Sequence, residues 1–428
     1  MSTRRDFFSL LAVPGLVLGA SPAAKALTRT PAFEPDPQAD DAAVFAAARE
    51  QFLIPAGVAY CNTGTLGASP REVVEALNEG VLRLETELAD WPYEHPDGEP
   101  LTGYQPLLDV RTAVGQFINV PAADIALTQN ATMGMNFLAN GLDLAAGDEV
   151  ISTDQEHGGC ISPWRLLAKR RGIVVKELPL ETVLADGPDA IVKLFESAMT
   201  PRTKVVMFSH ITSGLGAKLP ARELCALARS RGALALVDGA QAVGQIQVDV
   251  QSLDCDAYVG SPHKWMMAPK GTGFLYLRHD VQDRVWTTLA SYQWDNHADG
   301  AFRFMQYGTG SVPVVQGLTA ALGFIGKIGM ARIERWDASL TKRLREGLAS
   351  IPAVRIASPA DPRLAAAITT FRVNGVKAKA LQDALWAKRV RVRAQNDERG
   401  VRLSAHLYVS PKDVDAVLAV TREVAARA

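Results

Sequence analysis

The chain has 428 residues, 48% of them hydrophobic and 21% charged, with a formal net charge of −1. That length and balance describe a soluble globular protein with room for two domains and a sizeable core, and they leave no electrostatic footprint for nucleic acid or an anionic membrane surface. Four scattered cysteines (Cys61, Cys160, Cys225, Cys255) lack CxxC spacing, so they give no metal site and no disulfide framework, with one bridge formed by folding left open.

The first 26 residues depart from this ordinariness. Arg4 and Arg5 stand before an apolar run, 7–20, that small residues follow up to Ala24-Lys25-Ala26. A charged start, a short apolar stretch and an A-x-A site make a secretory signal, and the run is short for a spanning helix. The paired arginines resemble the twin-arginine export signal of bacteria, which implies the export machinery as a partner and a periplasmic location, with a retained anchor as the alternative. Residues 27–42 are Pro- and Asp-rich and read as a linker.

A helix is predicted over 42–52, a short strand over 58–61, and a polar loop over 62–70 closed by a Pro that suits a helix start. Apolar runs at 125–128, 149–152, 204–208 and 233–237 alternate with helical stretches. That pattern predicts an α/β domain with a mainly parallel sheet over 43–309. Past Gly308-Thr309-Gly310 comes a long helical region, 314–348, then strands at 367–373 and 390–393 and a closing helix at 411–426. This reads as a smaller α+β domain over 310–428.

Chemistry concentrates at Ser261-Pro262-His263-Lys264, ahead of a Gly-rich turn and an apolar strand. A lysine there is poorly placed as a solvated charge, and a buried amine of lowered pKa is what imine chemistry needs. Upstream, Asp238-Gly239-Ala240-Gln241 ends an apolar strand, where parallel sheets gather ligands. Thr128-Gln129-Asn130-Ala131-Thr132 follows a strand and opens a helix, the arrangement of a phosphate site. Glu156-His157 and Ser209-His210 lie between them in the chain.

In this order the motifs resemble the class V aminotransferases of pyridoxal phosphate (PLP) fold type I, an aspartate aminotransferase-like fold. The likeness runs from about residue 55 to the C-terminus and is nearest to the isopenicillin N epimerase-like branch, then to the cysteine desulfurases. It implies that Lys264 forms the Schiff base with pyridoxal 5'-phosphate and shuttles the substrate α-proton. Asp238 would pair with the pyridine nitrogen, Gln241 with the phenolic oxygen, and His157 would stack on the ring. Ala131, Thr132, Ser261 and His263 would hold the phosphate. Arg402 would clamp the substrate carboxylate, a task that suits a guanidinium fork, with Arg393 as its competitor. Thr309 would reach the cofactor of a neighbouring subunit, which implies a homodimer with shared sites.

The likeness has gaps. Gly158 and Gly159 stand where relatives carry bulkier residues, Ser213 where desulfurases carry Asn, and Val409 follows Tyr408 where Asn is usual. The loop that holds a desulfurase's catalytic Cys reads Ala394-Gln395-Asn396-Asp397-Glu398 here, so persulfide transfer is not expected. What remains is an enzyme acting on an amino acid or its derivative by transamination or epimerisation. The alternatives are a C–S lyase and an exported binding protein that kept the fold without catalysis. Trp91, Tyr93, His95 and Tyr104 are candidates for the pocket lining. His210 is either part of the site or a core histidine. A dinucleotide-binding oxidoreductase is disfavoured, because no G-x-G-x-x-G follows the first strand.

Overall fold

A computed structural model describes residues 33–87 and 107–428. The stretch read as a signal sequence and the four candidate lining residues Trp91, Tyr93, His95 and Tyr104 lie outside these described residues. Residues 33–428 form one compact unit built around two sheets and a short strand pair.

Strands are numbered in chain order: β1 Ala59–Tyr60, β2 Ile125–Thr128, β3 Glu149–Thr153, β4 Val174–Leu178, β5 Thr203–Ser209, β6 Leu234–Asp238, β7 Ala257–Gly260 and β8 Gly273–Leu277. The last five are β9 Val354–Ile356, β10 Ile368–Val373, β11 Val390–Arg391, β12 Arg393–Ala394 and β13 Val401–Ser404. The larger sheet has the order β2-β8-β7-β6-β5-β3-β4. β8 is antiparallel to both its neighbours, and the other pairings are parallel, so β8 alone opposes the common direction. Its central strands are buried on both faces, which is why they read as unbroken apolar runs rather than alternating ones. β4 escaped that signal: its Val-Val-Lys-Glu-Leu pattern belongs to a half-covered edge strand.

The smaller sheet, β12-β13-β10-β9, is antiparallel. β1 pairs in parallel with β11, so the chain before residue 62 joins the part of the molecule built from C-terminal residues. The stretch read as a linker is tied down from Phe33 onward. That ring is buried, with its centroid 5.0 Å from Phe324, and Asp40 caps the helix Asp41–Glu50. The long helical region divides at Gly329, whose φ of +89 ends the helix Val312–Ile328 before Met330–Ala349 begins. The single strand expected over 390–393 is two strands, one in each of two sheets. All four cysteines are buried and free, and among the described residues no single helix is long and apolar enough to cross a membrane.

Candidate active site

Residues at or after the ends of four same-direction strands, the loop after β1 and the smaller sheet close around a cavity of about 290 Å³. Asn130, Ala131 and Thr132 follow β2, His157 and Cys160 follow β3, Asp238 ends β6, and Ala240 and Gln241 follow it. Ser261, His263 and Lys264 follow β7, while Arg393 and Arg402 come from β12 and β13. Gly64 and Thr65, from the loop after β1, complete the lining. Ligands collect at the carboxyl ends of parallel strands because loops and helix N-termini converge there.

Lys264 reaches the cavity from a tight turn. Its carbonyl accepts from Met267 N at 3.2 Å, and Pro262 O accepts from Ala268 N at 3.1 Å. Burial holds the Lys264 amine below its ordinary value, Arg402 and Arg393 add to that, and Asp238 and Cys160 oppose it. The loop after β1 packs on this turn: Gly67 N donates to His263 O at 2.9 Å, and a Cβ at Gly67 would fall onto the Lys264 carbonyl. Only glycine allows that approach.

Asp238 is buried, and one of its oxygens accepts from Ala240 N at 2.9 Å. Gln241 bridges two elements: Nε2 donates to Gly64 O at 2.9 Å and Oε1 accepts from Trp265 Nε1 at 2.8 Å. One amide proton therefore remains for a ligand. Ser261 Oγ accepts from Ala131 N at 3.0 Å, which joins the helix start after β2 to the Lys264 segment. Asn130 caps that helix, with Oδ1 accepting from Met133 N at 2.9 Å. His263 Nδ1 donates to Thr272 O at 3.0 Å, leaving Nε2 as an acceptor; burial holds its pKa low.

His157 sits exposed at the rim, where Nδ1 accepts from Gly159 N at 3.1 Å. Burial of its surroundings and the Lys264 charge both favour the neutral ring. Of the two glycines that depart from the family pattern, Gly159 has a local reason. A Cβ at Gly159 would collide with Thr132 Oγ1, so this glycine lets the helix after β3 approach the helix after β2. Beneath the rim, Glu156 accepts from Thr153 Oγ1 at 2.7 Å and Ser209 Oγ at 2.6 Å, and burial pushes its carboxyl up to about 7.

The wall from the smaller sheet is cationic. Arg393 and Arg402 are cross-strand partners. Arg402 is 3% exposed; it donates to Ser213 O at 2.9 Å and Thr65 Oγ1 at 2.7 Å, and its buried Nε has no partner. Burial, with Arg393 adding to it, pushes Arg402 down to about 10. Among the described residues no carboxylate pairs with it. A buried guanidinium without an acid is a site for an anion that the chain itself does not supply. Arg393 is exposed and points Nη1 at the same Thr65 hydroxyl, 3.5 Å away.

The expected residues Ala131, Thr132, His157, Asp238, Gln241, Ser261, His263, Lys264 and Arg402 thus share one cavity. Thr309 does not line it and is exposed ahead of the helix Val312–Ile328. His210 is also outside: its backbone N donates to Asp238 O at 2.8 Å, its ring meets Tyr258 Oη at 3.0 Å, and burial pushes it down to about 4. It is a core histidine at the foot of Asp238. Thr65 and Cys160 were not expected. Thr65 lay in a loop read only as polar, and nothing local marks it, because its meaning comes from two arginines over 300 residues away.

With this geometry described, likeness to known proteins can be placed on it. The aminotransferase class-V family model matches residues 102–417. Isopenicillin N epimerase of Amycolatopsis lactamdurans is 30% identical over 403 residues, covering 90% of this chain and 99% of the relative. Among solved structures, a C-DES mutant with glycine covalently linked to the PLP cofactor superimposes with a TM-score of 0.78 at 26% identity, covering 88% of this chain and 99% of that one. The cysteine desulfurase of Thermococcus onnurineus NA1 gives 0.77 at 27% identity, over 89% and 98%.

Proposed function

Because the chain belongs to the class V aminotransferase family, we propose that Lys264, Asp238 and Arg402 act together on the α-carbon of an amino acid or amino-acid derivative. The cofactor is pyridoxal phosphate, and the residues present fit it. A low-pKa amine faces a buried carboxylate across one cavity, a capped helix start with Ser261 and Thr132 stands ready for a phosphate, and a neutral imidazole rims the opening. Bound there, the cofactor supplies an electron sink for the bond broken at the substrate α-carbon.

The remaining chemistry falls to the chain. Asp238 would hold the ring nitrogen protonated by its charge, and Gln241 has one uncommitted amide proton that could serve the phenolic oxygen. Arg402 orients the substrate by its carboxylate, with Arg393 beside it. Lys264, whose amine burial holds below its ordinary value, takes the α-proton and returns it. The observation that carries this reading is the buried, acid-free Arg402 on the same cavity as the depressed Lys264 amine.

Within the family we read the reaction as epimerase-like, or as transamination, rather than persulfide transfer. None of residues 394–398, where desulfurases place the catalytic cysteine, is a cysteine or lines the cavity. Gln395 Nε2 donates to Gly214 O at 2.8 Å and Thr370 Oγ1 at 3.0 Å, and Arg399 pairs with Glu181 at 3.1 Å. The test is direct. Purified protein loaded with pyridoxal phosphate should show a visible absorbance band that Lys264→Ala lacks. α-Deuterated amino acids should then lose label: loss without keto acid supports epimerisation, and keto-acid formation supports transamination. A colourless protein that takes up no cofactor removes this reading and favours a non-catalytic binding protein.

Two further parts of the reading concern assembly and location. A homodimer in which Thr309 reaches the partner's cofactor phosphate agrees with its exposure away from its own cavity. Mixed dimers of Lys264→Ala with Thr309→Ala chains should recover one working site if sites are shared. Arg4, Arg5 and the apolar run after them support export of the folded, loaded enzyme to the periplasm. A cytoplasmic protein with an intact N-terminus would argue against that.

A further inference from the structure

Trp265, the residue after Lys264, is fully buried, and its indole N–H and its carbonyl are both held. The indole N–H donates to Gln241 Oε1 at 2.8 Å, and the carbonyl accepts from His406 Nε2 at 2.8 Å. A carbonyl can only accept, so His406 carries a proton on Nε2. Its Nδ1 lies 2.8 Å from Asp337 Oδ2. His406 has no exposure and Asp337 has 1%. Among the described residues the second oxygen of Asp337, Oδ1, is buried without a partner, so this acid serves His406 alone.

Burying a carboxyl group for one partner opposes folding, and such groups are retained where they hold something in place. Here they stand behind a strained turn. Met267, two residues past Trp265, is buried with φ +58, a left-handed conformation unfavourable for its side chain. Gly244 crosses so close that a Cβ on it would lie 2.8 Å from Trp265 O. Neither Asp337, His406 nor Trp265 lines the cavity.

We propose that Asp337 and His406 are a positioning pair for Lys264: from the far side of the turn they fix the Trp265 peptide, which aims the Lys264 amine into the cavity and holds Gln241 on its wall. This rests on the reading of Lys264 as the cofactor-bearing lysine. Without the clamp the turn relaxes and water reaches the amine. Burial is what lowers that amine, so its proton affinity moves back up. The groups that face Lys264, namely Asp238, Cys160, His157, His263, Arg393 and Arg402, are unchanged by substitutions behind the turn.

The test uses apo protein titrated with pyridoxal phosphate at a series of pH values, so that the affinity is read together with the pH midpoint of cofactor uptake, which needs the unprotonated Lys264 amine. Wild type, His406→Gln, Asp337→Asn and Ile191→Ala are compared, with unfolding temperatures measured beside. Ile191 is a core residue on the helix Pro188–Ala198, outside the cavity lining, and reports lost stability alone. We expect His406→Gln to bind the cofactor about tenfold more weakly and to raise the pH midpoint by about half a unit. Asp337→Asn should shift both readouts the same way by less, and Ile191→Ala should leave both at wild-type values. Unchanged affinity and midpoint in folded His406→Gln, or equal shifts in Ile191→Ala, overturn the proposal. If His406→Gln does not fold, Asp337→Asn decides alone. Wild-type protein that takes up no cofactor overturns the functional reading and this one with it, whereas normal uptake with unaffected variants removes only the positioning pair.

Discussion

The two walls of the cavity are built by opposite means. Lys264, Asp238 and the capped helix start belong to the ends of same-direction strands of one sheet or the loops that leave them, so each lies at a strand end or a few residues beyond it. Their backbone is stitched together by Ser261 to Ala131, by Gly67 to His263 and by Gln241 to Gly64. The facing wall is two arginines in cross-strand register, sharing one threonine hydroxyl. The first wall is a set of backbone positions that admit few residues, and the second is an arrangement of charge. Substitutions on the first should alter chemistry and cofactor binding, and those on the second should alter which substrates are held.

The largest expected effect tests the first wall. Lys264→Ala should slow α-deuterium exchange by about 10²–10⁴-fold from the lost proton transfer alone. Its unfolding temperature should change little, because the turn is held by backbone bonds and by Trp265 rather than by the amine. Retained exchange in this variant would mean that another group moves the proton, and the two walls would not divide chemistry from binding.

Next comes the cationic wall. Arg402→Lys should weaken amino-acid binding by about 10–100-fold, the loss of one or two charge-assisted hydrogen bonds. Arg393→Gln, at the exposed partner, should weaken it by about threefold to tenfold. Both are read from the visible band of the loaded enzyme as substrate is added. A larger effect at Arg393 than at Arg402 would reverse the assignment of the carboxylate clamp.

The same contrast explains what the sequence could disclose. The first wall was legible because strand, turn and functional residue are contiguous: an apolar run ending in Asp238, or a Gly before Ser261, carries its geometry in its own neighbours. The smaller sheet was only partly legible. Arg402 stood out by its likeness to a family motif, but its pairing with Arg393 depends on register between separate strands, and Thr65 depends on both. β4 was missed because an edge strand keeps charged residues. The Asp337–His406 pair escaped because its members are 69 residues apart and neither touches the cavity. Gly159, read from sequence as a departure, proved to be a packing requirement set by Thr132.

That glycine offers a finer test of the first wall. Gly159→Ala should displace Thr132 and weaken pyridoxal phosphate binding by about fivefold, the loss of roughly one hydrogen bond. Gly158→Ala, where a Cβ meets nothing within 4 Å, should leave it unchanged. Equal affinities in the two variants would mean that Thr132 does not help hold the phosphate.

The last effect concerns the foot of the same wall, through pH. Glu156 has an ordinary value of 4.5, and burial pushes it up to about 7, against the Thr153 and Ser209 hydroxyls that donate to it. A raised folded-state value means that folding favours the protonated carboxyl. The stability it contributes is fully present below pH 4.5 and is lost as pH rises through about 7. Wild type should therefore lose on the order of 1–3 kcal/mol across that window from this group. Asp337, pushed up to about 6 by burial, adds a slope of the same sign, so the decisive quantity is the difference between variant and wild type. Glu156→Gln keeps a neutral group of similar shape, and its unfolding temperature from pH 5 to 8 should fall less steeply than that of wild type. Parallel curves would mean that Glu156 is ionised at no penalty, and the site's buried foot would then be as tolerant of charge as the arginine wall opposite.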